Sequence, residues 1–439
     1  MKLFQQLLVA GASMSLIAPI AAQASDIVNI EEMTSYSNSK KTSSKLDSKT
    51  FINEVSEDIT VLKGRVDGLE TRQNVLEAGS FSDTTVMDQK VVFSVGAAEH
   101  DPQSSDNTTH PAAGDNRNEG AQAQYSYTMN LNSSFTGDDN LYIRLKTGNG
   151  AGWMAEKDEG GYLSSTNTGA DEIHVDKIWY TFPIGERQTV WVGPRIENYY
   201  MHATTPSIYS PTLKQFTLGG NAAAYGASTD SGLGWAYEFD NGLAFSSNLV
   251  SKQNGTTNGF LTKESQHSWA TQVGYTQENY SVSAIVNNKY NGWIDEYFST
   301  QTGQLRNSVG VGTNADSTNI GLRAWVRPEE SGSAIPSISV GYDTSSIQYG
   351  ADSQDSTNMW FAGLGWADIF QADDKIGLAF GQPQQREDET TDPFAWEAYY
   401  SFKANDYTEY RTTVFGGSDR NGTANDDISG VVFQTTFKF

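Results

Sequence analysis

From about residue 87 onward, run after run of this chain alternates apolar and polar side chains. "AQYSYTMNLNSSF" sets Tyr125, Tyr127, Met129, Leu131 and Phe135 against Gln124, Ser126, Thr128, Asn130, Asn132 and Ser134. "LGWAYEF" sets Leu233, Trp235, Tyr237 and Phe239 against Gly234, Ala236 and Glu238. "FAWEAYYSFK" sets Trp396, Ala398, Tyr400 and Phe402 against Glu397, Tyr399, Ser401 and Lys403. A period of two places the two sets on opposite faces of a strand. The runs last seven to thirteen residues, close to the ~9–11 of a tilted membrane strand.

Turn signals separate the runs at "TGDDN" (136–140), "FDNG" (239–242), "QENY" (277–280), "QADD" (371–374) and "KAND" (403–406). Longer Gly-, Ser-, Asn- and Asp-rich stretches lie at about 99–119, 150–170, 251–264, 289–316, 343–357, 384–392 and 417–428. Short turns alternating with long polar loops are the arrangement of an outer-membrane barrel. The expectation is an all-β, antiparallel transmembrane barrel of about 16 strands over residues 85–439. A mean hydropathy of -0.50 does not oppose it, because alternating strands average out. A soluble sandwich or propeller would also alternate, with Val, Ile and Leu rather than Tyr and Trp on its core face. Here Tyr (21), Phe (20) and Trp (10) are abundant, and aromatics near strand ends suit interfacial girdles.

The run "VVFQTTFKF" places Val431, Phe433, Thr435, Phe437 and Phe439 on one face. A final amphipathic strand closing on an aromatic looks like the signal that barrel-assembly machinery reads, with Phe433, Phe437 and Phe439 carrying it.

The first 24 residues have the three parts of a secretory signal: Lys2, the apolar "LLVAGASMSLIAPIAA", and Ala22-Gln23-Ala24 as a cleavage site. Residues 25–50 are Ser-, Thr- and Lys-rich and suit a polar linker. Residues 51–77 carry a heptad pattern. Ile52, Ile59, Val66 and Gln73 take position a; Val55, Leu62, Leu69 and Leu76 take position d. Three g-to-e pairs are of opposite sign: Asp58 with Lys63, Arg65 with Glu70, Arg72 with Glu77. That favours parallel identical chains in the periplasm. Gly64 and Gly68 each cost about 1 kcal/mol relative to Ala, so the helix needs support from elsewhere. A single amphipathic helix packed on its own domain is the other reading. Ile or Val at a with Leu at d leans toward two strands.

Cysteine is absent, which excludes disulfides and thiolate metal sites. Phosphate-loop, H-E-x-x-H and G-x-S-x-G motifs are missing from the mature chain. His100, His110, His174, His202 and His267 are scattered, whereas metal ligands cluster. No metal, cofactor, catalytic residue or nucleic-acid partner is expected. The acid pairs Asp138-Asp139, Asp373-Asp374 and Asp426-Asp427 fall in turns and read as solvated.

The informative charges lie on strands. If the apolar face meets lipid, Arg144, Lys146, Arg323, Arg327, Lys403, Arg411 and Lys438 face the lumen, with Glu238, Asp240, Glu397 and Glu409 as inward acids. A wall of both signs selects by charge; equally, arginines paired with acids would only stiffen it. "RIENYYMHATTPSIYSPTLKQF" (Arg195 to Phe216) breaks the alternation. It reads either as a loop folded in to constrict the barrel or as a loop at a subunit interface, with Arg195 as leading pore residue.

The segments "DITVLKGRVDGLETR", "LNSSFTGDDNLYIRLKTGN", "VDKIWYTFPIGERQTVWVGPR", "PSISVGYD", "WFAGLGWADIF", "IGLAFGQPQ" and "GVVFQTTFKF" resemble the cyanobacterial outer-membrane porins, which share a barrel with carbohydrate-selective porins and are often described as iron-uptake porins. The resemblance covers about 50–439. It implies a homotrimer in the outer membrane passing small hydrophilic solutes and inorganic ions. Family members usually carry an S-layer-homology domain before the coiled coil. Here only Ser25 to Thr50 stands there, too short and polar for that domain, which leaves contact with peptidoglycan unsupported or dependent on partners. Two rival readings are a structural anchor with a plugged barrel and a barrel enzyme.

Overall fold

The computed structural model describes residues 84–102, 120–157, 160–220, 223–225, 229–252, 259–293, 316–349, 353–387 and 389–439. The leader, linker and heptad positions Ile52 to Leu76 lie outside the described residues. Sixteen strands close into one antiparallel barrel. They are β1 (Thr85–Pro102), β2 (Gln122–Ser133), β3 (Asn140–Gly148), β4 (His174–Ile184), β5 (Gln188–Ile196), β6 (Asp230–Glu238), β7 (Leu243–Ser251) and β8 (His267–Thr276). The second half comprises β9 (Tyr280–Tyr290), β10 (Asp316–Val326), β11 (Ser337–Tyr349), β12 (Ser353–Ala367), β13 (Lys375–Arg386), β14 (Phe394–Asn405), β15 (Thr408–Ser418) and β16 (Asp426–Lys438).

Each strand pairs with the next, and β1 pairs with β16 from Lys90↔Lys438 to Pro102↔Asp426. Closure gives every strand two neighbours, which strands in hydrocarbon require. The aromatic terminus sits in this seam: Phe439 N–H donates to Gln89 O (3.1 Å), and the Phe93 and Phe437 rings stand 5.6 Å apart edge to face.

The alternation decides the faces, and they are inverted relative to a soluble protein. On β10, Ile320, Leu322 and Val326 point outward and are 41%, 51% and 45% exposed, while Ser317, Asn319 and Arg323 point inward and are 6%, 0% and 3% exposed. Phe93, Val95, Trp235, Trp269, Val273, Val340, Tyr342, Trp360 and Trp396 continue the outer apolar belt around the barrel. Such a belt is stable only against an apolar phase.

Segments 343–357 and 384–392 depart from the loop expectation. β11 and β12 stay paired from Thr344↔Asn358 to Tyr349↔Ser353, and β13 runs to Arg386. Thr344, Ser346 and Gln348 make the outward face polar there, with Ser345 on the inward face, because the hairpin rises beyond the apolar belt. Loss of alternation marks where the strand leaves the hydrocarbon; the hydrogen-bond ladder continues.

The short turns fall where the turn signals stand, and two of them share a device. Asp139 is buried and accepts from Phe135 N–H (2.9 Å), Thr136 N–H (2.8 Å), the Ser134 and Thr136 hydroxyls (each 2.9 Å) and the Tyr180 hydroxyl of β4 (2.6 Å). Asp374 is likewise buried and accepts from Ile369, Phe370 and Gln371 N–H (2.8, 2.9 and 3.1 Å) and from the Tyr400 hydroxyl (3.2 Å). One member of each of these acid pairs is therefore a turn anchor, a correction to the expectation of solvated pairs.

The Tyr180 hydrogen bond, joined by the Thr136 and Ser134 donors and opposed by burial, holds the Asp139 carboxyl well below the usual carboxylate range. Its contribution is complete above the ordinary carboxylate pKa of about 4 and is lost as pH falls through the lowered folded value, because the unfolded chain takes up the proton first. Amide exchange at Phe135 and Thr136 checks this. Protection persists at pH ~4 and declines only below it, and Asp139→Asn removes that acid dependence.

Candidate functional site

The barrel interior is organised by two loops that fold inward from the long-loop end. The first follows β5. A bulge between Gly193 and Ile196 turns the chain, so that Ile196 is fully buried against Trp179 and Val250. The chain then crosses the inner wall. Asn198 Nδ2 donates to Asn248 Oδ1 (2.6 Å) and Ser268 O (3.1 Å); Thr204 N–H donates to Gln272 Oε1 (3.0 Å); Trp325 Nε1 donates to Thr205 O (3.1 Å). At the far wall Glu397 accepts from the Tyr209 hydroxyl (2.8 Å), Leu213 N–H (2.7 Å) and Thr212 N–H (3.1 Å). Arg411 Nη1 donates to Ser210 O (3.0 Å).

The chain reverses through Leu218, Gly219 and Gly220, all at positive φ (56°, 73° and 120°). On the return, Ala224 N–H donates to Asp343 Oδ2 (3.3 Å) and Asn287 Nδ2 donates to Ala224 O (3.1 Å). The Thr229 hydroxyl donates to Glu197 (3.0 Å), tying the loop's two ends together. The wall makes room with missing side chains. A Cβ on Gly234 would stand 2.8 Å from the Met201 side chain, and one on Gly341 would collide with Gly219 O.

The second loop joins β3 to β4. The alternation of short turns and long loops puts 150–170 outside the barrel; the structure instead folds it inward. Ser164 N–H donates to Thr212 O (2.8 Å) and Lys214 N–H donates to Tyr162 O (2.8 Å), binding the two loops together. Trp153, Met154 and Leu163 of this loop join Tyr209, Leu213 and Phe216 of the first, and Phe361, Phe415 and Val432 of the wall, in one apolar cluster. Two large apolar pairs, Trp153-Met154 and Tyr162-Leu163, inside an otherwise polar stretch were the available signal.

The residues expected to line a pore separate into three groups. Arg323 and Glu397 point inward but lie under the first loop at 3% and 0% exposure. Arg323 pairs with Asp343, donates to Leu218 O (2.9 Å) and faces the Tyr225 ring (4.7 Å). For these two the structure replaces a water-facing position with a buried one, because the loop covers their wall. At the short-turn mouth stand Glu238, Arg327 and Lys403, all exposed. Arg327 Nε donates to Glu278 O (2.9 Å) and Lys403 pairs with Asp373 (3.2 Å).

The third group faces what the loops leave open. Arg144 donates to Asn130 Oδ1 (3.1 Å) and the Tyr200 hydroxyl (3.1 Å) and lies 3.8 Å from Asp176. It flanks a stack of Tyr142, Trp179 and Tyr200, with ring centroids 4.3 and 4.9 Å apart. Arg411 also pairs with Glu409 (3.3 Å) and lies over Tyr399 (4.2 Å). Lys146 follows Arg144 on the same face of β3. Arg195 stands apart from this group: it is exposed at the β5 bulge, opposite the outward-facing Ile178, with its Nε donating to Asp176 O (3.3 Å), a correction to its expected place on the pore wall. Inner-wall cations that sequence alternation did not single out include Lys177, which pairs with Glu197 (2.8 Å), Lys90, and Lys289, fully buried on β9. Parity with Ser94 against Phe93 and Val95 would have found Lys90. Among the described residues, no group of three His, Asp or Glu side chains could hold a metal ion.

No family model matches the chain. An uncharacterized protein, alr4550, of Nostoc sp. is 26% identical over 433 residues, covering 88% of this chain and 71% of that protein. Among solved structures, Pseudomonas putida OprB superposes with a TM-score of 0.57 at 12% identity, over 85% of this chain and 97% of that one. An anion-selective porin from Comamonas acidovorans superposes at 0.52 and 11% identity, over 81% and 99%. At these identities the likeness is one of fold: a closed barrel of porin type.

Proposed function

We propose that this chain is a porin of the outer membrane, passing small hydrophilic solutes and ions by diffusion without an energy-coupled step. The observation that carries the reading is the inner wall of β16, β1, β2 and β3. Its inward side chains Asp88, Lys90 and Lys438 are solvent-exposed, whereas the opposite wall is covered by the loop. Water-filled polar lumen behind an apolar belt is what a diffusion channel needs. The names of the two structural neighbours, OprB and an anion-selective porin, agree with it. The heptad residues Ile52 to Leu76, parallel by their charge pairs, support assembly of identical barrels, three by the family resemblance.

A second reading has its own support. The two loops are hydrogen-bonded to each other and share an apolar cluster, as a plug in a purely structural barrel would be. Planar bilayers separate the two. The porin gives stepwise conductance, in threes if the assembly is trimeric; a silent bilayer with correctly folded barrel overturns the channel and leaves the plug.

A further inference from the structure

Three lysines of the lumen wall share one hydrogen-bonded row. Lys438 of β16 stands directly opposite Lys90 of β1, Lys90 opposite Thr128 of β2, and Thr128 opposite Lys146 of β3. All face inward, on the parity of Gln434, Ser94 and Arg144. Adjacent strands lie about 4.8 Å apart, which places Lys90 about 5 Å from Lys438 and about 10 Å from Lys146 across the sheet. Like charges directly opposite on a sheet destabilise it, so the Lys90↔Lys438 pair is a cost to the fold.

No acid among the described residues pairs with either lysine. Arg144 lies near Asp176, Lys177 pairs with Glu197 and Arg411 pairs with Glu409. Asp88, the acid closest in register, accepts from Asn130 (2.7 Å) and Asn132 (3.3 Å). Among the described residues, Lys90, Lys146 and Lys438 have no ion pair. Lys90 stands in the field of Lys438, Arg411 and Arg144, with Glu409 the acid among them. Glu409 offsets part of the field at Lys90, and Asp176 and Glu197 part of that at Lys146, but none of them forms an ion pair with either lysine, which leaves room for a counter-charge from solution.

We infer that Lys438, Lys90 and Lys146 form a station for a divalent oxyanion of the phosphate or sulfate type. An ion of this class carries enough charge and enough oxygens to engage two ammonium groups at once. Lysine suits transit better than arginine, because its strongly hydrated, rotatable ammonium holds an oxyanion without a rigid bidentate clamp. Conduction needs several weak sites in series, and the row offers one ion two successive partners.

The inference rests on the channel reading only for the word transit; binding is measured apart from it. Full-length protein in detergent is titrated with inorganic phosphate and followed by ³¹P NMR. Saturable binding is expected, with affinity falling roughly five- to tenfold for each of Lys90→Gln, Lys146→Gln and Lys438→Gln, as loss of one charge-assisted hydrogen bond in a wet site implies. Lys263→Gln, on an exposed loop, leaves it unchanged. Lys90→Gln and Lys438→Gln relieve repulsion and fold at least as stably as the parent, so loss of binding there is not loss of fold. Non-saturable broadening in the parent, or equal affinity in all variants, overturns the station. In bilayers, phosphate on one side should block chloride current saturably. Saturable binding with no conductance overturns the channel and keeps the station; conductance without saturable binding does the reverse.

Discussion

Glu397→Ala releases the inner loop while the barrel stays closed. The parent carboxylate is fully buried on β14 and accepts from the Tyr209 hydroxyl and from the N–H groups of Thr212 and Leu213. Truncation leaves three buried donors without that acceptor. Each unsatisfied donor costs about 1–3 kcal/mol, and water entering the vacated space recovers part of it. A net loss of about 3 kcal/mol in the seating of the loop is the expected scale. The strand itself has no reason to move. Glu397 keeps its backbone partners Ala379 and Phe415, and sheet pairing does not involve the carboxylate.

Trypsin in detergent supplies the readout, because Lys214 lies within the loop one residue past this anchor. A loss of about 3 kcal/mol raises the open population, and with it the cleavage rate, about a hundredfold. Single-channel current rises at the same time if the loop narrows the path. Unchanged cleavage at Lys214 would show that Glu397 is incidental to the loop. Glu397→Gln keeps the shape and one acceptor oxygen, and falls between parent and alanine.

That contact also shows what a linear reading can reach. The outer face was legible, because every outward position must satisfy the same apolar phase and alternation reports it directly. Strand number, the short turns and the inward parity of Arg144 and Arg323 follow from that single constraint. The inner face answers to no common solvent. Glu238 and Glu397 look alike in sequence, both acids opposite aromatics on a strand. One is exposed at the mouth, and the other is buried because Tyr209, 188 residues earlier, comes to rest on it. The loop's seat is written in Gly234, Gly274, Gly341 and Gly363. In sequence such residues signal turns or weak strand, and only the incoming loop gives their missing side chains a purpose. Phe361, Tyr399, Phe415 and Val432 on inward positions were the sharper clue, since bulky apolar groups facing a water-filled lumen need a cover.

The two arginines that the sequence placed together on the pore wall should part company by experiment. Arg323 and Asp343 are both buried, at 1% and 2% side-chain exposure, and pair directly. Arg323 further donates to Leu218 O, Leu322 O (3.0 Å) and Tyr342 O (3.2 Å). Removing one partner of a buried pair strands the other charge, at about 3–5 kcal/mol. Arg323→Ala therefore lowers the denaturant midpoint of the folded barrel strongly. Among the described residues, the Ala224 N–H contact ties Asp343 to the loop, so the return limb loosens with it. The double variant Arg323→Met with Asp343→Asn recovers much of the loss, because no unpaired charge remains. Arg195→Ala behaves oppositely. Its side chain is exposed and, among the described residues, holds a backbone carbonyl, so stability changes by less than about 0.5 kcal/mol. Reversal potential under a salt gradient stays as in the parent, because Arg195 stands opposite the outward-facing Ile178. A selectivity change in Arg323→Ala with an unchanged denaturant midpoint would place that guanidinium in the water path and remove the covering loop from the account.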